Sequence, residues 1–330
     1  MKILLSGSSG FVGKALCEAL ERDGHTILRL VRREPRHELE LRWDPAAGEI
    51  DAAALARLAP EDAPLDAVIH LAGESVFGLW TKGKKAAIRN SRLQATRLLG
   101  KTIVSLPIKP KTFINASAIG YYGHRGDELL TELSSPAAAV DRQPRVSPMP
   151  LIDPQWGGRF LSQTCMDNEA EAQAVLTSGV RLVNLRFGMV LGRGGGALAK
   201  MLPAFRLGVA GPLGWRGAQY MSWVSLTDLT RAIQFALQTP ELRGPVNVVA
   251  PQPVSNRDFT TALSRRVFWL RPLAGIANRF AVPAPALKLA LGEFGNALLL
   301  SSVRAQPTHL QEAGFAFEHA TLDAALQAAV

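Results

Sequence analysis

The chain has 330 residues, 47% of them hydrophobic and 20% charged, with a formal net charge of +9 and two cysteines. That length supports one large α/β domain carrying a smaller one, with a core that needs no disulfide staples. The basic balance invites nucleic acid, yet Lys82, Lys84 and Lys85, and Arg32, Arg33 and Arg36, form only small clusters without interleaved aromatics, so no nucleic-acid partner is expected, and no apolar run reaches the roughly 18 residues of a membrane span.

The apolar run Lys2-Ile3-Leu4-Leu5 empties into Gly7-Ser8-Ser9-Gly10-Phe11-Val12-Gly13 and then a helical pattern. A strand, a phosphate-binding turn and a helix are expected here. Gly7 permits the tight turn, Gly10 lets a pyrophosphate approach, and Gly13 allows close helix-on-sheet packing. The helix then offers free N–H groups and a partial positive charge to the anion. A strand starting at residue 3 is also expected to leave no room for a signal peptide. Cys17 and Cys165 fall in helical patterns and read as reduced thiols of a cytoplasmic protein.

Thr26 to Val31 predicts the second strand, closing a βαβ unit in about thirty residues. Leu39 to Trp43 alternates like a strand that Asp44-Pro45 and Gly48 end. Asp66 to Gly73 predicts a buried parallel strand, Lys84 to Leu106 a helix that Pro107 stops, and Thr112 to Ser117 another strand. From Ser134 to Gly158 five prolines forbid a regular element, so 134–158 is expected as a Pro-rich insertion, either a lid or a loop without function. A helix over about Arg159 to Thr177, a strand over Val180 to Phe187 and a glycine-rich turn at Gly192 to Gly196 follow. After Pro245 the pattern restarts with Val246 to Val249 and helices near Asn256 to Arg266 and Pro285 to Leu291. The alternation predicts an α/β fold, a doubly wound parallel Rossmann sheet over 1–245 with a small C-terminal substrate lobe over 246–330, and residues 189–225 lining the crevice. Met201, Phe205, Trp215, Met221 and Trp223 either line an apolar cavity there or are plain core.

Gly7 to Gly13, His70 to Gly73, Ser117 to Gly123 and Arg186 to Gly192 together resemble the extended short-chain dehydrogenase/reductases, in their epimerase/dehydratase branch. Gly73-Glu74-Ser75, Asn90-Ser91-Arg92, Gly194 to Leu202, Gly211 to Gly214, Met221-Ser222-Trp223 and Leu310 to Phe315 resemble the atypical subgroup labelled "epimerase family protein" or SulA-like, with a C-terminal domain of unknown function. The resemblance implies a nicotinamide cofactor. NAD-selective members place an acidic residue at the end of the second strand, where this chain has Arg32 and Arg33 after Val31; two guanidinium forks suit a 2′-phosphate, so NADP(H) is expected, with Glu34 keeping NAD open. By the same analogy Leu71, Ala72 and Gly73 line the adenine-ribose and pyrophosphate path, Phe187 and Val190 pass beside the nicotinamide, and Ser117 approaches the reacting carbonyl. Arg92 either reaches cofactor phosphate or ribose or is an ordinary surface arginine.

Hydride transfer in this superfamily ordinarily uses a tyrosine and a lysine four residues later on one helical face. The three tyrosines are followed at that spacing by Arg125, Gly126 and Val224, so the pair is absent. The helix where it belongs carries Leu161 and Cys165 in those places, with Glu169 completing the pattern. Tyr121 and Tyr122 near Ser117 are the substitute candidates, and Cys165 and His124 read better as an inert thiol and a surface imidazole. The expected function is therefore an NADP(H)-binding oxidoreductase or epimerase acting on a small carbonyl or sugar-like substrate. The alternative is an NADPH-dependent sensor or protein-interaction module, which the SulA-like label alone ties to cell division. The substrate is unknown, and a homodimer is compatible with the residues without being read from them.

Overall fold

The computed structural model describes residues 1–137, 155–214, 216–267 and 293–330. Residues 138–154 of the Pro-rich segment, Trp215, and the helix expected over 285–291 lie outside the described residues. In chain order the elements are β1 (Lys2–Ser6), α1 (Phe11–Arg22), β2 (Thr26–Val31), β3 (Glu40–Asp44), β4 (Glu49–Ile50), α2 (Ala52–Leu58), β5 (Ala67–His70), α3 (Lys82–Ser105) and β6 (Thr112–Ala118). After β7 (Leu129–Leu130) come α4 (Gln155–Ala172), β8 (Arg181–Phe187), β9 (Met189–Leu191), α5 (Gly196–Arg206), β10 (Tyr220–Met221), β11 (Trp223–Ser225), α6 (Leu226–Gln238) and β12 (Gly244–Val248). The chain ends with β13 (Val254–Ser255), α7 (Asn256–Val267), β14 (Arg304–Ala305), α8 (Thr308–Glu312) and α9 (Leu322–Ala329).

One sheet of eight strands runs β12-β8-β6-β5-β1-β2-β3-β4, parallel throughout except for the β3/β4 pair. The continuous apolar strands follow from burial on both faces. Ile3 and Leu5 of β1 pack toward α1 and α6 with Leu16, Leu20 and Ile233, while Leu4 packs toward α3 with Leu99 and Phe113. Helix α1 seats on the sheet through Gly13, Leu16, Cys17 and Leu20, a spacing of one helical stripe. The order reverses on either side of β1, so the crevice of the doubly wound sheet opens beyond Ser6 and His70.

One expectation shifts and one open alternative resolves. The strand expected as a restart at Val246–Val249 is edge strand β12, hydrogen-bonded to β8 from Gly244 to Val248, so the sheet crosses the 245/246 junction. Met201, Phe205, Met221 and Trp223 pack with Phe259, Leu263 and Leu326 in a cluster of their own, which makes them core and not cavity wall. No helix among the described residues is long and apolar enough to cross a membrane.

Candidate functional site

The turn after β1 is built as its glycines require. Gly7 has φ +78°, and a Cβ there would lie 2.8 Å from Ala72 N at the exit of β5. A Cβ on Gly13 would lie 2.8 Å from the Gly7 carbonyl carbon, so the helix rests directly on the turn. Gly10 closes that turn by donating its N–H to Gly7 O at 3.0 Å, and Ser8, Ser9 and Gly10 stay at least partly exposed. No side chain caps α1 and no carboxylate occupies its first turn. Its amino end, from Phe11 to Gly13, keeps unsatisfied N–H donors and the positive end of the helix dipole, which suits an anion such as a pyrophosphate.

Phe11 adds a feature of its own. A Cβ on Gly195 would lie 2.7 Å from Phe11 Cγ, one on Gly196 2.9 Å from Cε1, and one on Gly192 3.0 Å from Cζ. The first ring of α1 thus fills the turn between β9 and α5, and the glycine run leaves it room.

At the exit of β6 lies a buried polar chain. Ser117 Oγ donates to Glu169 Oε1 at 2.7 Å, and Arg186 grips the same carboxylate with Nε at 2.9 Å and Nη2 at 2.8 Å. Arg186 Nη1 donates to the Tyr122 hydroxyl at 2.9 Å, which donates to Asn247 Oδ1 at 2.7 Å. Burial works against the Arg186 charge, but the Glu169 carboxylate more than offsets it and holds the guanidinium above its usual range. A carboxylate so paired only accepts, so the Ser117 proton points at Glu169. Ser117 is also hydrogen-bonded with the Cys165 thiol, and whatever accepting capacity its oxygen keeps suits a ligand hydroxyl better than a carbonyl. The Tyr121 ring stacks on Arg186, with Cζ 3.5 Å from its centroid, and its half-buried phenol has no hydrogen-bond partner among the described residues.

Toward β5, Leu71 N donates to Ser6 O at 3.1 Å, and His70 Nδ1 lies 2.6 Å from Ser6 Oγ. Arg92 of α3 lies over Gly73, where a Cβ would meet its Cζ at 3.3 Å. Its Nη1 donates to Glu74 O and Ile88 O, each at 3.0 Å.

A family model described as NAD dependent epimerase/dehydratase matches residues 3–249, and one for a domain of unknown function, DUF1731, matches 282–329. The chain belongs to the NAD dependent epimerase/dehydratase family. An epimerase family protein of Mycobacterium tuberculosis is 39% identical over 325 residues, 98% of this chain and 96% of the relative. Human epimerase family protein SDR39U1 is 30% identical over 333 residues, 99% of each chain. Its crystal structure with NADPH superposes with a TM-score of 0.78 at 28% identity, covering 99% of this chain and 98% of that one.

Within this epimerase-family fold the expected site residues divide. Gly7 to Gly13, Leu71, Ala72, Gly73 and Arg92 gather around the crevice, with Ser117 and Tyr121 at the exit of β6. Phe187 and Val190, half-buried, border the core at the end of β8 and on β9. Val31 ends β2, and Arg32 beyond it is exposed without an ion pair or hydrogen bond among the described residues. Arg33 departs from expectation: its fork closes on Glu40, Nη1 to Oε2 at 2.8 Å and Nη2 to Oε1 at 2.6 Å, because β3 brings that carboxylate alongside. Arg33, with help from the Arg36 N–H, pulls the Glu40 carboxyl down to about 2.

Tyr122 is the second departure. It is fully buried, and burial, opposed by Arg186, pushes its phenol up to about 12, so it holds the interior together and gives no proton to the crevice. Leu161 and Cys165 do face the exit of β6, since a Cβ on Gly120 would meet Leu161 Cβ at 3.3 Å and Cys165 Sγ at 4.0 Å. Burial, reinforced by Glu169, raises the Cys165 thiol to about 11, the inert state expected of it. Arg125 is turned to Glu128 and cannot serve a phenol, and His124 Nδ1 accepts from Ser302 N at 3.0 Å. Sequence reasoning missed Arg186. The signal was there, since a charge near the inner end of the strand expected over Val180 to Phe187, between Leu185 and Phe187, demands a buried partner.

Proposed function

We propose that the chain binds NADP(H) and acts as an oxidoreductase or epimerase on a small carbonyl or sugar-like compound. The observation that carries the reading is the uncapped amino end of α1 behind Gly7 and Gly13, open at the switch point of the sheet. Leu71, Ala72 and Gly73 form the opposite wall, and Arg32 stands at the end of β2 with its fork free for a 2′-phosphate. That human SDR39U1 was crystallised with NADPH supports the same cofactor. When bound, the nicotinamide exchanges a hydride with a carbon centre. Phe187 and Val190 would border its ring, Ser117 would accept a hydrogen bond from the alcohol form of the substrate, and Tyr121 would present a phenol to the same space. The described residues that follow β12 are assigned to the substrate lobe.

Thermal-shift titrations with NADPH, NADP, NADH and NAD on wild type and Arg32→Asp test this. Wild type is expected to be stabilised more by the phosphorylated pair, and Arg32→Asp to lose that margin. Equal shifts in wild type defeat the arginine argument, and no shift with any of the four defeats the cofactor reading. One observation favours a second reading, an NADPH-occupancy sensor: the Ser117 proton and Tyr122 are both committed inside the protein. Under that reading deuterium from 4-labelled NADPH never reaches a metabolite in a cell extract.

A further inference from the structure

The two walls of the crevice touch at a point that neither the cofactor turn nor the buried polar chain uses. Residues 73–81 carry the chain from the exit of β5 to the start of α3, and α5 begins at the glycine turn that Phe11 fills, beyond β1. The loop and the helix therefore stand on either side of the opening beyond Ser6 and His70. Lys200 of α5 crosses it: its Nζ lies 4.8 Å from the centroid of the Phe77 ring. The lysine is exposed and has no hydrogen bond or ion pair among the described residues, so the ring face is what holds it.

The loop is firm at its base and loose at its tip. Glu74 N donates to Ser91 Oγ at 2.9 Å, and Trp80 Nε1 donates to Val76 O at 2.8 Å. Trp80 is buried against Phe160 and Phe294, with ring centroids 5.3 Å and 6.2 Å away, in a cluster that includes Ile88 and Leu161. Phe77 rests on the rim of that cluster, 5.7 Å from Phe294, and stays half-buried. Gly78 follows with φ +112° and open space around it, and Leu79 is 63% exposed. An exposed cation–π contact favours the closed arrangement by only about two- to fivefold, little enough for it to open and close on its own.

We propose that Phe77 and Lys200 form the gate of the crevice: the lysine over the ring closes the mouth, and a swing of residues 77–79 away from it admits a small-molecule ligand. Cys165 and Ser117 lie inside, at the exit of β6. The inference rests on the proposed function only for what passes the gate, the nicotinamide cofactor and its substrate.

Cys165 reports the gate without any cofactor, because a thiol reagent must enter the crevice to reach it. Cys17, buried between α1 and the sheet, is the control for general loosening. Alkylation by N-ethylmaleimide, followed at each cysteine by peptide mass spectrometry, compares wild type with Lys200→Ala, Lys200→Arg and Phe77→Leu. Lys200→Ala and Phe77→Leu are expected to speed Cys165 about two- to fivefold and leave Cys17 unchanged. Lys200→Arg, which keeps the cation, should react as wild type does. Phe77→Leu keeps every charge in place, so its effect does not come from the field of Lys200 on the thiol. An unchanged Cys165 rate in Lys200→Ala and Phe77→Leu, or an equal rise at both cysteines, overturns the gate. Stopped-flow mixing with NADPH reads the same step on the ligand: association and release should both quicken in Lys200→Ala with Kd nearly unchanged. A weaker Kd with unchanged association makes Lys200 a ligand contact and overturns the proposal. A wild type that binds no NADPH refutes the cofactor reading instead, and the alkylation rates then decide the gate on their own.

Discussion

Substituting Gly195 by alanine isolates the contact between the cofactor turn and the lobe beyond it. Gly195 has φ −165°, an extended conformation open to any residue, so the backbone adds no strain and alanine alone would stabilise by about 0.4–1 kcal/mol through the unfolded chain. The added Cβ would sit 2.7 Å from Phe11 Cγ. Phe11 Cδ2 lies closer still, and ordinary carbon contacts lie at about 3.5–4.0 Å, so the ring must retreat by about 1.5 Å. Overpacking of that kind costs about 1–3 kcal/mol, which cancels the expected gain and leaves a net loss of up to about 2.6 kcal/mol. Phe11 is also the first residue of α1, so its displacement moves N–H groups of the anion site, and NADPH affinity is expected to fall with stability. Gly194→Ala is the control: with φ +80° and nothing within 4 Å it carries about 1 kcal/mol of backbone strain but leaves Phe11 untouched. Urea unfolding and NADPH titration of Gly195→Ala, Phe11→Leu and the double variant measure the coupling. The smaller side chain should relieve the clash, giving a coupling of about 1 kcal/mol or more between neighbours. A stabilised Gly195→Ala, or strict additivity in the double variant, would falsify the cradle.

Tyr122→Phe removes a hydroxyl that serves both Arg186 and Asn247, so a loss of about 1–3 kcal/mol is expected in urea unfolding, while Tyr121→Phe, which breaks no hydrogen bond among the described residues, should unfold as wild type does. Equal stability of the two variants would remove the distinction drawn between the tyrosines. Burial, then the Arg92 charge, lowers His70 from 6.5 to about 3, so the unfolded chain takes up that proton at higher pH than the fold does. The stability this gives is complete above pH 6.5 and is lost as pH falls toward 3; His70→Gln should show a flatter stability profile across that window in unfolding measured at stepped pH, and an unchanged slope would count against it.

The doubly wound sheet was legible because its signals are local: paired apolar runs, a glycine turn and proline stops all sit within a few residues of the element they define. Thr81, whose hydroxyl accepts from Lys84 N at 3.1 Å, moved the start of α3 only from residue 84 to 82. What escaped were contacts between segments far apart in the chain. Arg33 read as a phosphate ligand because nothing local shows that β3 carries Glu40 to it. Tyr121 and Tyr122 were indistinguishable as neighbours, since their opposite fates depend on Arg186 and Asn247 from β8 and β12. The glycines at 192–196 looked like a turn, and their real neighbour, Phe11, lies at the other end of the sequence.

The polar chain that begins at Ser117 does not end inside the sheet. Asn247 on edge strand β12 donates its side-chain amide to Gln306 O at 2.9 Å, and its backbone N–H goes to Glu132 Oε1 at 3.0 Å. The same carboxylate oxygen accepts from His309 N at 3.2 Å, and His309 Nδ1 lies 2.9 Å from Pro245 O on the same strand. Edge strands leave a row of unpaired backbone groups that a fold must cover. Here β12 is covered by residues 306–309, which β14 in turn ties to β7, while Ser117, Glu169, Arg186 and Tyr122 lead from that cover to the crevice. The C-terminal segment is thus built into the wall of the site through its hydrogen bonds. Arg186, central to both, is the residue whose loss would loosen the crevice and the sheet edge together.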